Sequence, residues 1–357
     1  GMLLGDLPFG QENTYMATIS GDQTIWSGGR MTAAVRIARQ AREAARNTLA
    51  EQTAELELQV RTAYYQALLA RELEAIALAG AEQAQAFLDQ ERLRFRSGRA
   101  SELEALRAEV ELENLQPQLI QARNAAQLAE LNLKRLTDIP ADQPLRLTTD
   151  LMAQIPPLEA PAPEEELPEF RRPSIMAAEN QVAIREAQVD FVRGSYLPTV
   201  ALRMAYGRQA FPVEVFDLSG IDWRTDWTAT LSVSVPVFTG FRRGAEIEQA
   251  RVQLEQARLQ VEQLREAVQL EYAQARGERE RARAAIGARQ RTVEQAQRVH
   301  DLTVLRYEQG LATQLEVTDA RLALLQARTN LAQAIADYHI ADASVRRALG
   351  QTDLSAR

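Results

Sequence analysis

Few residues in this chain can do chemistry, and most of those are carboxylates. There is no cysteine, which excludes disulfides and thiolate metal sites. The two histidines, His300 and His339, fall in helical stretches far from any obvious partner and read as helix-face residues, not metal ligands. No glycine-rich phosphate loop, nucleophile motif or metal-ligand cluster occurs, so neither catalysis nor a bound metal or cofactor is expected. The acids that stand out are Glu316 and Asp319, three residues apart just after Gly310. Read alone, they are two solvated acids on one helix face. The net charge is −8 and no basic stripe is present, which argues against a nucleic-acid partner.

The elements that position these residues come from a duplication. Phe95-Arg96-Ser97-Gly98-Arg99-Ala100-Ser101 matches Tyr307-Glu308-Gln309-Gly310-Leu311-Ala312-Thr313, 212 residues later. The same offset pairs Trp26-Ser27-Gly28 with Phe238-Thr239-Gly240, and Leu133-Lys134-Arg135 with Val345-Arg346-Arg347. Each copy reads as a strand, a very long helix, a tight turn and a returning helix, and such long repeats point to an elongated scaffold. Residues 14–27 read as a strand that turns into helix at Gly28-Gly29. Residues 30–97 hold no proline and are rich in Ala, Arg, Glu, Gln and Leu, all strong helix formers. At 1.5 Å per residue they predict a helix of roughly 100 Å, a length that suggests coiled-coil packing. Gly98 and Gly310 suit left-handed C-caps, and Ser101 and Thr313 suit N-caps of the return helices.

The return helices carry heptads. Leu112, Leu115, Leu119, Ala122, Ala126, Ala129, Leu133 and Leu136 step by three and four; so do Leu324, Ala327, Leu331, Ala334, Tyr338, Ala341, Val345 and Ala348. Ile247, Ala250, Leu254, Ala257, Val261, Leu264 and Val268 do the same in the second long helix. This is the pattern of knobs-into-holes packing, and its many alanines allow close approach. Pro117 removes one helical hydrogen bond and is expected to kink the first return helix.

The copies are joined by a stretch of different composition. Residues 138–169, with Ile155-Pro156-Pro157 and Pro161-Ala162-Pro163-Glu164-Glu165-Glu166, favour an extended connector over a core. Helix returns at 174–194. Val200, Leu202, Met204 and Tyr206 then share one strand face, and a loop with Pro212 and Gly220 follows. In the next strand Trp227, Ala229, Leu231, Val233 and Val235 alternate with Thr228, Thr230, Ser232 and Ser234. The expected division is a first repeat at 1–137, a connector with an equatorial helix at 138–197, a second repeat at 198–350 and a tail at 351–357. Gly1-Met2 looks like an expression scar. The second copy's missing flanking helix, with one more strand, is expected before residue 1.

Alternating strands of about ten residues with aromatics near their ends match transmembrane β-barrel strands; a soluble hairpin with one wet face has the same pattern. About four strands per chain cannot close a barrel, and open edges are not tolerated in lipid. Three chains would supply about twelve strands and a ring of long helices. At this point the sequence resembles the outer-membrane efflux duct family typified by TolC. The resemblance rests on the duplication, on Arg172-Pro173 with Ala177-Ala178-Glu179 and Gln181-Val182-Ala183, and on Ala187-Gln188-Val189 leading to Tyr196-Leu197-Pro198. It rests also on Val235-Pro236-Val237-Phe238 before Gly240, and on Gly310-Leu311-Ala312-Thr313 before Glu316-Val317 and Asp319-Ala320. It implies a mainly α fold with β: a homotrimeric α-helical barrel continuous with an outer-membrane β-barrel, in a Gram-negative-type envelope, with a long periplasmic extension.

The resemblance also implies partners and roles. The partners are a periplasmic adaptor, an inner-membrane transporter and outer-membrane lipid. Small molecules or polypeptides would be exported passively, as in efflux or type I secretion. Ser97, Gly98 and Arg99, with Gln309, Gly310 and Leu311, correspond to the adaptor-contacting tips. Glu316 and Asp319 correspond to acids around the periplasmic aperture, where carboxylate rings select cations. Glu104 and Tyr307 match positions that lock the closed state; Ala312 replaces the family's arginine there, leaving Arg99 as a substitute. Two other classes compete. A periplasmic adaptor would need a lipoyl-like β domain and carries one hairpin rather than two. A coiled-coil scaffold leaves the Trp227–Val237 alternation unexplained.

Overall fold

The computed structural model describes residues 13–157, 172–211 and 222–351. The proline-acid run 161–166, the loop with Pro212 and Gly220, Gly1-Met2 and the tail beyond 351 lie outside the described residues. The elements are β1 (Tyr15–Trp26), α1 (Arg30–Arg96), α2 (Glu102–Leu136), α3 (Pro173–Arg193), β2 (Thr199–Ala210), β3 (Arg224–Ser234), α4 (Arg242–Glu308) and α5 (Gln314–Ala348). The bounds of α1 and α4, and of α2 and α5, differ by the same 212 residues as the sequence repeat. So do the left-handed residues: Gly28 and Gly240, Gly29 and Phe241, Gly98 and Gly310, Asp138 and Gly350. The duplication therefore extends to backbone conformation, and α2 continues through Pro117 without interruption.

The chain forms two compact units that cut across the repeats. One comprises Gly1–Arg46 and Ala177–Glu262, the other Asn47–Met176 and Gln263–Arg357. In the first, β1, β2 and β3 make an antiparallel sheet in that order. The register sets Ile19, Tyr206 and Trp227 in one row, and Gln23, Leu202 and Leu231 in another on the same face. Thr18, Ser20, Asp22 and Thr24 lie on the opposite face with Arg203, Ala205, Gly207, Thr228, Thr230 and Ser232. The sheet thus has one mostly apolar and one mostly polar face. All of β3 is exposed, including Trp227, Leu231 and Val233. A sheet meant for water would cover such a face. Asp22 and Arg203, opposite one another, form an ion pair of 3.0 Å on the polar side.

Helix packing in this unit uses small side chains. Ala33, Ala187, Ala250, Ala257 and Val261 are buried, the last three at heptad positions. Arg36 pairs with Asp190 at 2.6 Å and Arg258 with Glu186 at 2.9 Å. Where β1 turns into α1, Gly28 (φ +63°) meets Gly194 at the end of α3, backbone against backbone. Among the described residues no helix is long and apolar enough to cross a membrane.

The second unit holds the larger core. Every heptad position of α2 and α5 is buried or half-buried. Helix α5 buries a second stripe as well, with Ala332, Ile335 and Ala336 fully enclosed. The connector differs from the expectation of an extended tether without a core. Residues 138–157 contain neither helix nor strand, yet Leu151 is buried and packs with Leu68, Ile286 and Leu331. Apolar side chains spaced along an irregular segment can fill a groove between helices, and composition does not register that. Tyr64 donates to Thr149 Oγ1 (2.5 Å) across the same contact. His339 is not without a partner either. It stacks on Tyr65 with ring centroids 4.6 Å apart, and its Nε2 donates to the carbonyl of Gln154 at 2.7 Å.

Four helices of this unit meet at a charged node. Arg172, just before α3, pairs with Glu51 of α1 (2.9 Å) and Glu271 of α4 (2.6 Å). Arg347 of α5 reaches Glu51, Glu55 and Glu271 at 3.2, 2.8 and 2.9 Å. Glu51 also accepts from the backbone N–H of Ser174 (3.2 Å), capping α3, whose first residue is Pro173. Proline suits that position because the missing N–H would have been unpaired. Burial raises the Glu51 pKa, but the hydrogen bonds and charge of Arg172, with Arg347, outweigh it and hold the carboxyl below its usual 4.5.

Candidate functional site at the helical tips

The two tips have the same backbone. Gly98 and Gly310 have φ of +72° and +73°. In each, the glycine N–H bonds back to the residue three before it, Phe95 or Tyr307, at 2.9 and 3.0 Å. The next N–H, of Arg99 or Leu311, bonds to the carbonyl of Arg94 or Arg306 at 2.8 Å in both. This paired-bond C-cap needs a left-handed residue, which glycine supplies without a Cβ clash. The chain then re-enters helix through a capping box. Ser101 Oγ accepts from Glu104 N–H and Glu104 accepts from Ser101 N–H (2.6 Å); Thr313 and Glu316 repeat the arrangement with the same 2.6 Å bond. Reciprocal bonds of this kind satisfy two of the helix's orphan donors.

Glu104 and Glu316 are thus equivalent residues with a structural task. The Ser101 backbone N–H lowers the Glu104 pKa, and the Thr313 backbone N–H does the same for Glu316. Glu316 Oε2 accepts from both the N–H and the hydroxyl of Thr313, at 2.6 and 3.0 Å. Glu316 and Asp319 are exposed, while Val317 and Ala320 between and beside them are buried. The acids therefore share the outward face of α5, where the spacing placed them.

Tyr307 lies within electrostatic range of Glu104 but makes its direct contacts elsewhere. It is buried among α1 residues: its ring lies 5.8 Å from that of Phe87, and Arg94 sits 4.8 Å over it. Burial and a hydrogen bond to Glu91 raise the Tyr307 pKa. Glu91 is fully enclosed and also pairs with Arg94 at 3.2 Å. Glu91 and Arg94 escaped sequence reasoning because both look like ordinary charges of a polar helix. The return helices are likewise joined by polar contacts without a local signal. Gln314 Nε2 donates to the Glu104 carbonyl (2.9 Å), Thr318 to Glu111 (2.9 Å), and buried Arg321 pairs with Glu111. Ser97, Arg99, Gln309 and Leu311 are exposed around the two glycines. Arg99 makes no ion pair among the described residues.

An uncovered apolar sheet face and two long helical hairpins closed by matching tips are features of one class of outer membrane proteins. The chain belongs to the outer membrane efflux protein family, which it matches over residues 8–137 and 169–351, and its place is the outer membrane. It is 25% identical over 261 residues to SrpC, a solvent efflux pump outer membrane protein of Pseudomonas putida, covering 71% of this chain and 53% of SrpC. It is 29% identical over 314 residues to OpmQ, a pyoverdine export outer membrane protein of Pseudomonas putida, covering 85% of this chain and 63% of OpmQ. The chain thus spans about half the length of the first of these relatives. The fold matches that of CusC with a TM-score of 0.79 at 19% identity, over 95% of this chain and 78% of CusC. SrpC and OpmQ are outer membrane proteins by name, and the CusC structure is one of transmembrane channel formation.

Proposed function

We propose that the chain is the outer-membrane duct of a multi-component exporter, passing cargo that an inner-membrane transporter and a periplasmic adaptor deliver. The single observation that carries this reading is the sheet, apolar on one face, polar on the other and exposed along β1 and β3. Lipid against the apolar face and water against the polar one is the arrangement of a barrel wall. Strands β1 and β3 are its edges among the described residues, and open edges in lipid must be paired. A homotrimer closes them. The tips at Gly98 and Gly310 then receive the adaptor. Glu316 and Asp319 supply six carboxylates near the periplasmic opening, and Tyr307 and Glu104 hold the helix ends beside it.

Full-length protein in detergent should sediment as a trimer and form conducting channels in planar bilayers. A monomer without conductance would end the reading. In such channels Glu316→Gln with Asp319→Asn should lower cation selectivity and relieve block by multivalent cations added from the tip side. Glutamine can keep the capping box, so the change removes charge and leaves the turn. The difference should shrink toward 1 M salt, where the screening length falls to about 3 Å. Unchanged selectivity and block would return these acids to a solvated helix face.

A further inference from the structure

The two tips share backbone angles, C-cap bonds and capping boxes, so any difference between them lies in their side chains. Those side chains are opposite in charge. Positions related by the 212-residue offset hold Arg96 and Glu308 before the glycine, and Arg99 and Leu311 after it. From 94 to 104 there are three arginines and two glutamates; from 306 to 316 there are one arginine and two glutamates. Arg94 and Arg306, and Glu104 and Glu316, are common to both tips; where the tips differ, Arg96, Arg99 and Glu102 stand against Glu308, Leu311 and Gln314, formal charges of +1 and −1. Arg94 is not free to act outward, because it is held by Glu91 and Tyr307, and Arg92 pairs with Glu109. Arg96 and Arg99 are exposed and make no ion pair among the described residues; the same holds for Glu308. Glu102, the first residue of the return helix, is also exposed.

One apolar feature is common to both tips. Leu103 and Leu315 are equivalent residues and stand 56% and 61% exposed. A leucine beside each turn can give both tips the same contact, while the charges choose between partners. Charge complementarity across an interface steers encounter and rejects wrong partners more than it adds affinity.

On the reading that the tips dock an adaptor, we propose that the two tips of one chain are not interchangeable. The Gly98 tip, through Arg96 and Arg99, takes an adaptor helical hairpin with an acidic end; the Gly310 tip, through Glu308 and Leu311, rejects that end and takes a basic one. Each trimer would then hold two kinds of docking point in alternation, and an adaptor would have to present both kinds of end, or come in two forms.

The test uses the full-length trimer and two synthetic helical hairpins as probes. Their helices are identical, with leucines beside the loop, and their loops carry either glutamates or lysines. Binding is followed by surface plasmon resonance at about 0.05 M and 0.5 M salt. The parent should bind both hairpins without competition, each to its own tips, and lose the distinction at high salt. Arg96→Glu with Arg99→Glu should weaken the glutamate hairpin about fivefold to tenfold and open new sites for the lysine hairpin; Glu308→Arg should do the converse. If the hairpins compete for the same sites and the charge variants change neither, the tips dock without choosing and the proposal falls, while tip docking stands. If neither hairpin binds an intact trimer, tip docking falls and takes the proposal with it. If the arginine variant no longer trimerises, these residues belong to a contact between copies, which also overturns the proposal.

Discussion

Replacing Gly194 by alanine should destabilise the folded protein by about 3 kcal/mol and remove most of its folded yield. An added Cβ would lie 2.6 Å from the carbonyl oxygen of Gly28 and 2.7 Å from Cγ of Arg30. The first of these is backbone and cannot swing aside. Gly28 presents the reverse problem, since its own Cβ would lie 2.5 Å from the Gly194 oxygen, and its φ of +63° adds strain. The repeat supplies a control. Gly240, the equivalent of Gly28, has φ of +60° and open space around it, so Gly240→Ala should show the left-handed penalty alone, roughly 1–2 kcal/mol. Thermal unfolding followed by circular dichroism distinguishes the two sites. A Gly194→Ala protein that melts with the parent would mean that this corner is looser than its geometry.

The second large effect belongs to the charged node. Arg172→Met should cost about 3 kcal/mol at neutral pH, because it leaves Glu51 and Glu271 facing each other with one cation fewer. Arg347 still touches both carboxylates and Glu271 is partly solvated, which keeps the effect at the low end for a broken buried pair. The pH dependence has a definite sign. Glu51 has a folded pKa below its unfolded value of 4.5. Its contribution is therefore complete above about pH 4.5 and is lost as pH falls through the folded pKa. The gap between parent and Arg172→Met should be widest near pH 7 and should narrow below about pH 4 as the Glu51 carboxylate becomes protonated. Urea unfolding at the two pH values measures it. A gap that persists unchanged in acid would assign the loss to packing of the arginine stem instead of its charge.

Much of the local structure was legible because its causes are local. The tip glycines, the caps at Ser101 and Thr313 and the heptads of α2 and α5 each depend on residues within a few positions of one another. The repeat offset then carried the bounds of four helices from one copy to the other. Glu316 and Asp319 were placed on one exposed face by their spacing alone. That Glu316 also closes a capping box was readable too, since Thr313 and Glu316 stand at the spacing the box requires.

What the sequence could not determine is which distant segments meet. Alternation gave each strand an apolar face, but only the register of β2 against β1 and β3 puts Ile19, Tyr206 and Trp227 in one row. Helix α5 buries a second stripe because helices and the connector close on it from other sides, and a heptad reports only one seam. Leu151, Glu91 and the node joining Glu51, Arg172, Glu271 and Arg347 are ordinary residues in their own neighbourhoods. Their burial and pairing come from segments that arrive from 76 to 296 residues away in the case of the node. Hydrogen bonding and helix geometry act over a few residues and so are written in sequence. Burial and charge pairing act over a few ångströms in space, and only the folded chain decides what lies within them.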